Sequence, residues 1–148
     1  MVAGFKYNIL VAGSDSNPTS NRKMVWTFLS YVLSNILIHH DVCSIISKDD
    51  TVGQLAEKWA DSRCIYVQSI RTNPRALQGT PVALDIANIC IFIDTLANPV
   101  KDLDEAIKEG KIVIHLIVSD KIYKSNDMFD PIDCVMMMHN YHKYLEMR

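Results

Sequence analysis

The chain has 148 residues, 49% of them hydrophobic and 22% charged, with a formal net charge of −2. That length and balance fit one globular domain with its own core, exclude intrinsic disorder, and supply no basic field for nucleic acid. The opening residues lack a basic start followed by a long apolar stretch, and no apolar run reaches the ~18 residues of a bilayer-spanning helix, so a soluble, cytoplasmic protein with no membrane partner is expected.

A β-rich run over 7–12 (YNILVA) predicts the first strand, ending at Gly13 and a polar loop over 14–20. Within 21–39, Met24, Val25, Phe28, Leu29, Val32, Leu33 and Ile36 recur at helical spacing. Residues 42–46 predict a second strand. Asp50 or Thr51 is then placed to cap a helix over 52–62, with Leu55, Ala56 and Trp59 on its inner face. A third strand is expected over 64–68, followed by the longest polar stretch, 69–80, where Arg71, Asn73, Pro74, Arg75 and Gly79 discourage regular structure. Pro81 suits the first turn of a short helix reaching 86 or 87. The wholly apolar run 89–93 has the composition of a strand covered on both faces. Pro99 opens a helix predicted to reach Glu109 and stop at Gly110, and 112–118 forms a fifth strand. The tail 134–145 (CVMMMHNYHKYL) reads as a final helix docking Val135, Met138, Tyr141 and Leu145, or as a Met-rich surface for a partner subunit.

Strand and helix alternating in this way predict an α/β domain with a mostly parallel sheet of about five strands and helices on both sides. The domain covers 1–120, with 121–148 as a helical extension packed on it. Ligands of such sheets collect beyond the carboxyl ends of the strands. Any small-molecule site therefore falls on the loops 13–20, 47–51, 69–80 and 94–100.

Local chemistry narrows the function by exclusion. The chain has no Walker loop, no G-x-G-x-x-G and no G-x-S-x-G, which removes ordinary NTPase, dehydrogenase and acyl-transfer readings and implies no cofactor. Cys43, Cys64, Cys90 and Cys134 form no C-x-x-C pair, and three stand in or beside apolar runs, as buried reduced thiols do. His139 and His142 lack a third ligand, so no metal is expected; His39 and His40 suit a helix end. Trp26 and Trp59 are read as core residues.

Three segments carry a family likeness. Ile9-Leu10-Val11-Ala12-Gly13-Ser14, the helix Leu55-Ala56-Glu57-Lys58-Trp59-Ala60, and Leu84-Asp85-Ile86-Ala87-Asn88 running into a strand resemble the SLOG superfamily, especially its YspA-like branch. Ala106, Gly110 and Lys111 fall where that family ends its next helix. The resemblance spans residues 7–118 and implies a Rossmann-like three-layer sandwich, a nucleotide-derived ligand and a homodimer. The phosphate loops depart from it. Asp15 stands where the family carries an arginine, and Ser47-Lys48-Asp49-Asp50-Thr51-Val52-Gly53 replaces a glycine-rich loop. Gly79-Thr80 takes the place of an arginine-asparagine pair, and Asn98-Pro99 that of a glycine-threonine. Glycines there would let backbone N–H groups close on a phosphate, whereas Asp49 and Asp50 put negative charge at a helix start.

The resulting expectation is a non-catalytic binding protein on a SLOG-like scaffold, taking a protein partner or a nucleotide-derived ligand. Ligand contacts are expected from Gly13, Ser14, Asp15, Ser47, Lys48, Arg71, Arg75, Gly79, Thr80 and Asp94, with Arg71 and Arg75 suited to hold an anion. One rival is an N-glycosidic hydrolase or transferase using Asp15, Asp49 or Asp94 as its carboxylate. Another is a viral or mobile-element protein that interferes with a host factor.

Overall fold

The computed structural model of the chain describes residues 6–13, 22–48, 50–70, 84, 86–96, 99–119, 134–140 and 142. Strand β1 (Lys6–Gly13) leads into helix α1 (Arg22–His39), strand β2 (Asp41–Lys48), helix α2 (Thr51–Ser62) and strand β3 (Tyr66–Ile70). Strand β4 (Ile89–Asp94), helix α3 (Leu103–Lys108), strand β5 (Ile112–Val118) and strand β6 (Cys134–His139) follow. Leu84 and Ile86 are also helical. The sheet has six strands in the order β3-β2-β1-β4-β5-β6. The first five are parallel and β6 runs antiparallel to β5, an α/β architecture compatible with a Rossmann-like fold.

Side-chain alternation along the strands builds two cores. Ile9 and Val11 of β1, Ile45 of β2, Ile91 and Ile93 of β4, and Ile114 of β5 face α1 and α2. Leu10, Ala12, Ile46, Phe92 and Val113 point the other way, toward Leu84, Ala87, Val100 and Ala106. A strand buried on both faces must be apolar at every position, and all of β4 is buried. The buried residues of α1 are the seven expected from helical spacing. Helix α2 buries Leu55, Ala56 and Trp59, and of the two expected caps it is Asp50 that starts it, with Thr51 its first residue.

Several expectations need correction. The sheet has six strands, because 134–139 forms an edge strand where a helix was expected. Methionine serves either period, and the free edge of β5 offers this segment a full ladder of backbone hydrogen bonds. Asn140 then adopts φ 58° and donates through Nδ2 to the carbonyls of Ile107 and Lys111, which fixes where β6 ends. Strand β3 begins at Tyr66 rather than at residue 64, since Cys64 has φ 58° and the Ile65 amide closes the end of α2 on the Ala60 carbonyl. Helix α3 begins at Leu103, later than Pro99 suggests, because the Val100 amide is donated to the Asp94 side chain instead of waiting at a helix start. Its stop at Gly110 holds, with φ 77°. Trp26 is 38% exposed, whereas Trp59 is buried. Of the four cysteines only Cys90 is buried, and Cys43 and Cys64 are exposed. Among the described residues, no helix is long and apolar enough to cross a membrane.

Candidate functional site at the strand ends

The strand order places a topological switch between β1 and β4, where the chain stops adding strands on one side and begins adding them on the other. Crevices of this kind open at the carboxyl ends of the two strands. Gly13 ends β1 and Asp94 ends β4. Lys48 ends the neighbouring β2, with α2 beginning just beyond it.

The start of α2 is the element that would hold a phosphate in a glycine-loop protein. Here the Asp50 carboxylate accepts the Gly53 amide at 2.7 Å, and the Gln54 amide donates to the Asp50 carbonyl. The cap thus fills one of the orphan N–H positions with the chain's own negative charge. Gly53 is required for a different reason from anion approach. A Cβ there would lie 2.2 Å from the Lys48 carbonyl oxygen, so this glycine lets α2 sit tightly against the end of β2. Gly13 has the same role on the neighbouring strand, where a Cβ would lie 2.5 Å from Val52 Cγ2. Both glycines bring helix and sheet together.

Lys48 and Ser47 point to opposite faces of the sheet. Ser47 is buried and donates through Oγ to Glu57 Oε1 of α2 at 2.5 Å. Lys48 reaches across the end of β1 to the Asp102 carboxylate, just before α3. The one cation that the sequence placed at this loop is therefore engaged with a carboxylate of the same chain.

Asp94 is buried and holds two partners. Its Oδ2 accepts the Val100 amide at 2.8 Å, and its Oδ1 lies 2.7 Å from His115 Nε2. Both members of the pair are buried, with side-chain exposures of 2% and 6%. The carboxylate therefore ties the loop after β4 to strand β5. Thr95, next in the chain, is also buried.

The structure brings Lys48 and Asp94 onto one face and turns Gly13 and Ser47 toward α2. Ser14, Asp15, Arg71, Arg75, Gly79 and Thr80 lie outside the described residues, as do Asp49 and Asp120. Sequence reading missed two features. One is His115, whose link to Asp94 depends on the β4–β5 register rather than on any local motif. The other is a chain of polar groups toward the amino ends of the strands, where Gln68 Nε2 donates to Ser44 Oγ and Ser44 Oγ donates to Asn8 Oδ1. The Asn8 backbone N–H in turn donates to Asn88 Oδ1. An alternating strand with a small polar residue at a core position, as at Ser44, was the available signal. Cys90, second residue of β4, is buried, and burial pushes its thiol from the ordinary 9.0 up to about 12, against the opposing pull of Lys111. It is an inert core thiol at neutral pH. Among the described residues, no group of three His, Cys, Asp or Glu side chains forms a metal-binding cluster. Comparison with protein-family models, with curated proteins and with solved structures gives no match.

Proposed function

We propose that this chain is a non-catalytic binding protein on a SLOG-like, Rossmann-like three-layer scaffold, and that it engages a cytoplasmic protein partner rather than turning over a nucleotide. One observation carries the reading: the amino end of α2 is capped by Asp50 through the Gly53 amide. A phosphate there would displace a built-in carboxylate or sit against it, at a Coulombic cost. The Lys48–Asp102 pair supports the same reading, because Lys48, at the end of β2 just before that helix, is held by an anion of the fold.

The rival reading, cleavage or transfer of a nucleoside base, needs a carboxylate free to attack or to take a proton. Asp94 has one oxygen on a backbone amide and the other beside His115, both buried. A nucleotide-derived ligand held without turnover is the second form of the binding reading, and the position of Gly13 and Asp94 at the β1–β4 switch favours it.

Incubation of the purified chain with nucleosides and nucleoside monophosphates, followed by chromatography for released base, tests the proposal. Unchanged substrates are expected. Saturable release that is lost in Asp94→Asn would overturn it.

A further inference from the structure

Strand β5 carries a single ionisable side chain, His115, among apolar residues. It lies with Val113 on the α3 side of the sheet, where its Nε2 meets Asp94 Oδ1 at 2.7 Å. An ionised carboxylate only accepts, so Nε2 carries the proton and Nδ1 keeps a lone pair. Among the described residues Nδ1 has no hydrogen-bond partner. The two nitrogens occupy opposite edges of the imidazole ring. With Nε2 turned to β4, Nδ1 is turned away from it, toward the side on which β6 lies in the strand order.

The antiparallel register decides which side chains meet it there. Met137 stands directly opposite His115, and His139 stands opposite Val113, one step along the same face. Directly paired Cβ atoms lie about 5 Å apart, and diagonal neighbours are within reach of long side chains. Met136 and Met138 pair with Leu116 and Ile114 on the α1 side instead. Two imidazoles and one thioether therefore share a single patch. His115 is buried, His139 is half-buried and Met137 is 42% exposed, so the patch is open to an incoming ion at one end and walled at the other.

We propose that His115, Met137 and His139 bind a soft monovalent metal ion, copper(I), on this face of the β5–β6 pair. This goes beyond the partner-binding reading and does not depend on it. The sequence sets His139 beside His142 with no third ligand; strand pairing sets it with His115 and Met137 instead. Among the described residues no three His, Cys, Asp or Glu side chains converge, so zinc and the harder divalent ions lack their usual donors. A thioether combined with imidazole suits copper(I). Asp94 stands behind His115 as carboxylates stand behind metal-bound histidines, fixing the tautomer and making Nδ1 a better donor. The Val100 amide fixes Asp94 in turn. A cation on Nδ1 also gives this buried carboxylate a positive charge to face through the ring.

Competition for copper(I) against bicinchoninate, under anaerobic reducing conditions, provides the test. Thiols also take copper(I), so the full chain is used as a Cys43→Ser, Cys64→Ser, Cys134→Ser variant, with circular dichroism melts to show that it folds. One equivalent of copper(I) should be withdrawn from the competitor. Met137→Leu and His139→Gln should each weaken binding by about tenfold or more, whereas Met136→Leu, on the opposite face, should leave it unchanged. A second reading uses the natural chain with its reactive thiols alkylated and its methionine methyl groups labelled with carbon-13. Copper(I) should shift the Met137 methyl resonance and leave that of Met136 in place. No copper withdrawn, an affinity unchanged in Met137→Leu or His139→Gln, an equal loss in Met136→Leu, or a Met137 methyl that does not shift would overturn the proposal.

Discussion

Asp50 accepts the amide that a bound phosphate would claim at α2, and the Asp50→Ala substitution is the smallest change that reopens that helix end. Loss of the cap should lower stability by about 1 kcal/mol, read as a shift of the urea midpoint with unchanged slope. Gly53 serves the packing of α2 on β2: Gly53→Ala drives a methyl onto the Lys48 carbonyl and should destabilise by about 2 kcal/mol in the same assay. Cysteine chemistry follows burial. Cys43 and Cys64 are exposed and should react with a thiol reagent in the native protein, while Cys90 should react only after denaturation. The Cys90 proton also links stability to pH. Burial raises the folded value above 9.0 to about 12, so over that window the unfolded chain loses the proton and the native chain keeps it. Stability therefore falls with rising pH through this range, and Cys90→Ala should make the alkaline decline in urea melts shallower.

At the scale of elements, the helices are the most legible part of the sequence and the edges the least. The buried stripe of α1 repeats over seven positions, too long to arise from a strand, and β4 declares itself by being apolar at every residue from Ile89 to Ile93. Asp50 was readable as a cap because a carboxylate just before an apolar helical stripe has few other local uses. Strand β6 was not, since a run of methionines fits both periods and its ladder partner lies in β5. The Asp94–His115 pair joins residues 21 apart, and its geometry comes from which strands are neighbours. Trp26 misled for a simpler reason: it borders the buried stripe of α1 and is 38% exposed. Asp94→Asn should keep an acceptor for the Val100 amide while weakening the link to His115. A loss of about 1–3 kcal/mol is expected by thermal denaturation, with partner binding little changed.

For the whole molecule, strand order explains why a site is looked for between β1 and β4 and why the residues there are mostly spoken for. The switch point gathers the ends of β2, β1 and β4 in one place. Lys48–Asp102 and Asp94–Val100 then fasten those ends to the segment leading into α3. Helix α2 approaches so closely, through Gly13 and Gly53, that its amino end serves packing and capping. The most direct measurement is the backbone amide resonance of Gly53, followed by heteronuclear NMR while inorganic phosphate and then nucleoside monophosphates are added to the full chain. A resonance that stays in place is the expected result. A saturable shift of Gly53 and its α2 neighbours would contradict the account, because it would place an anion where Asp50 sits.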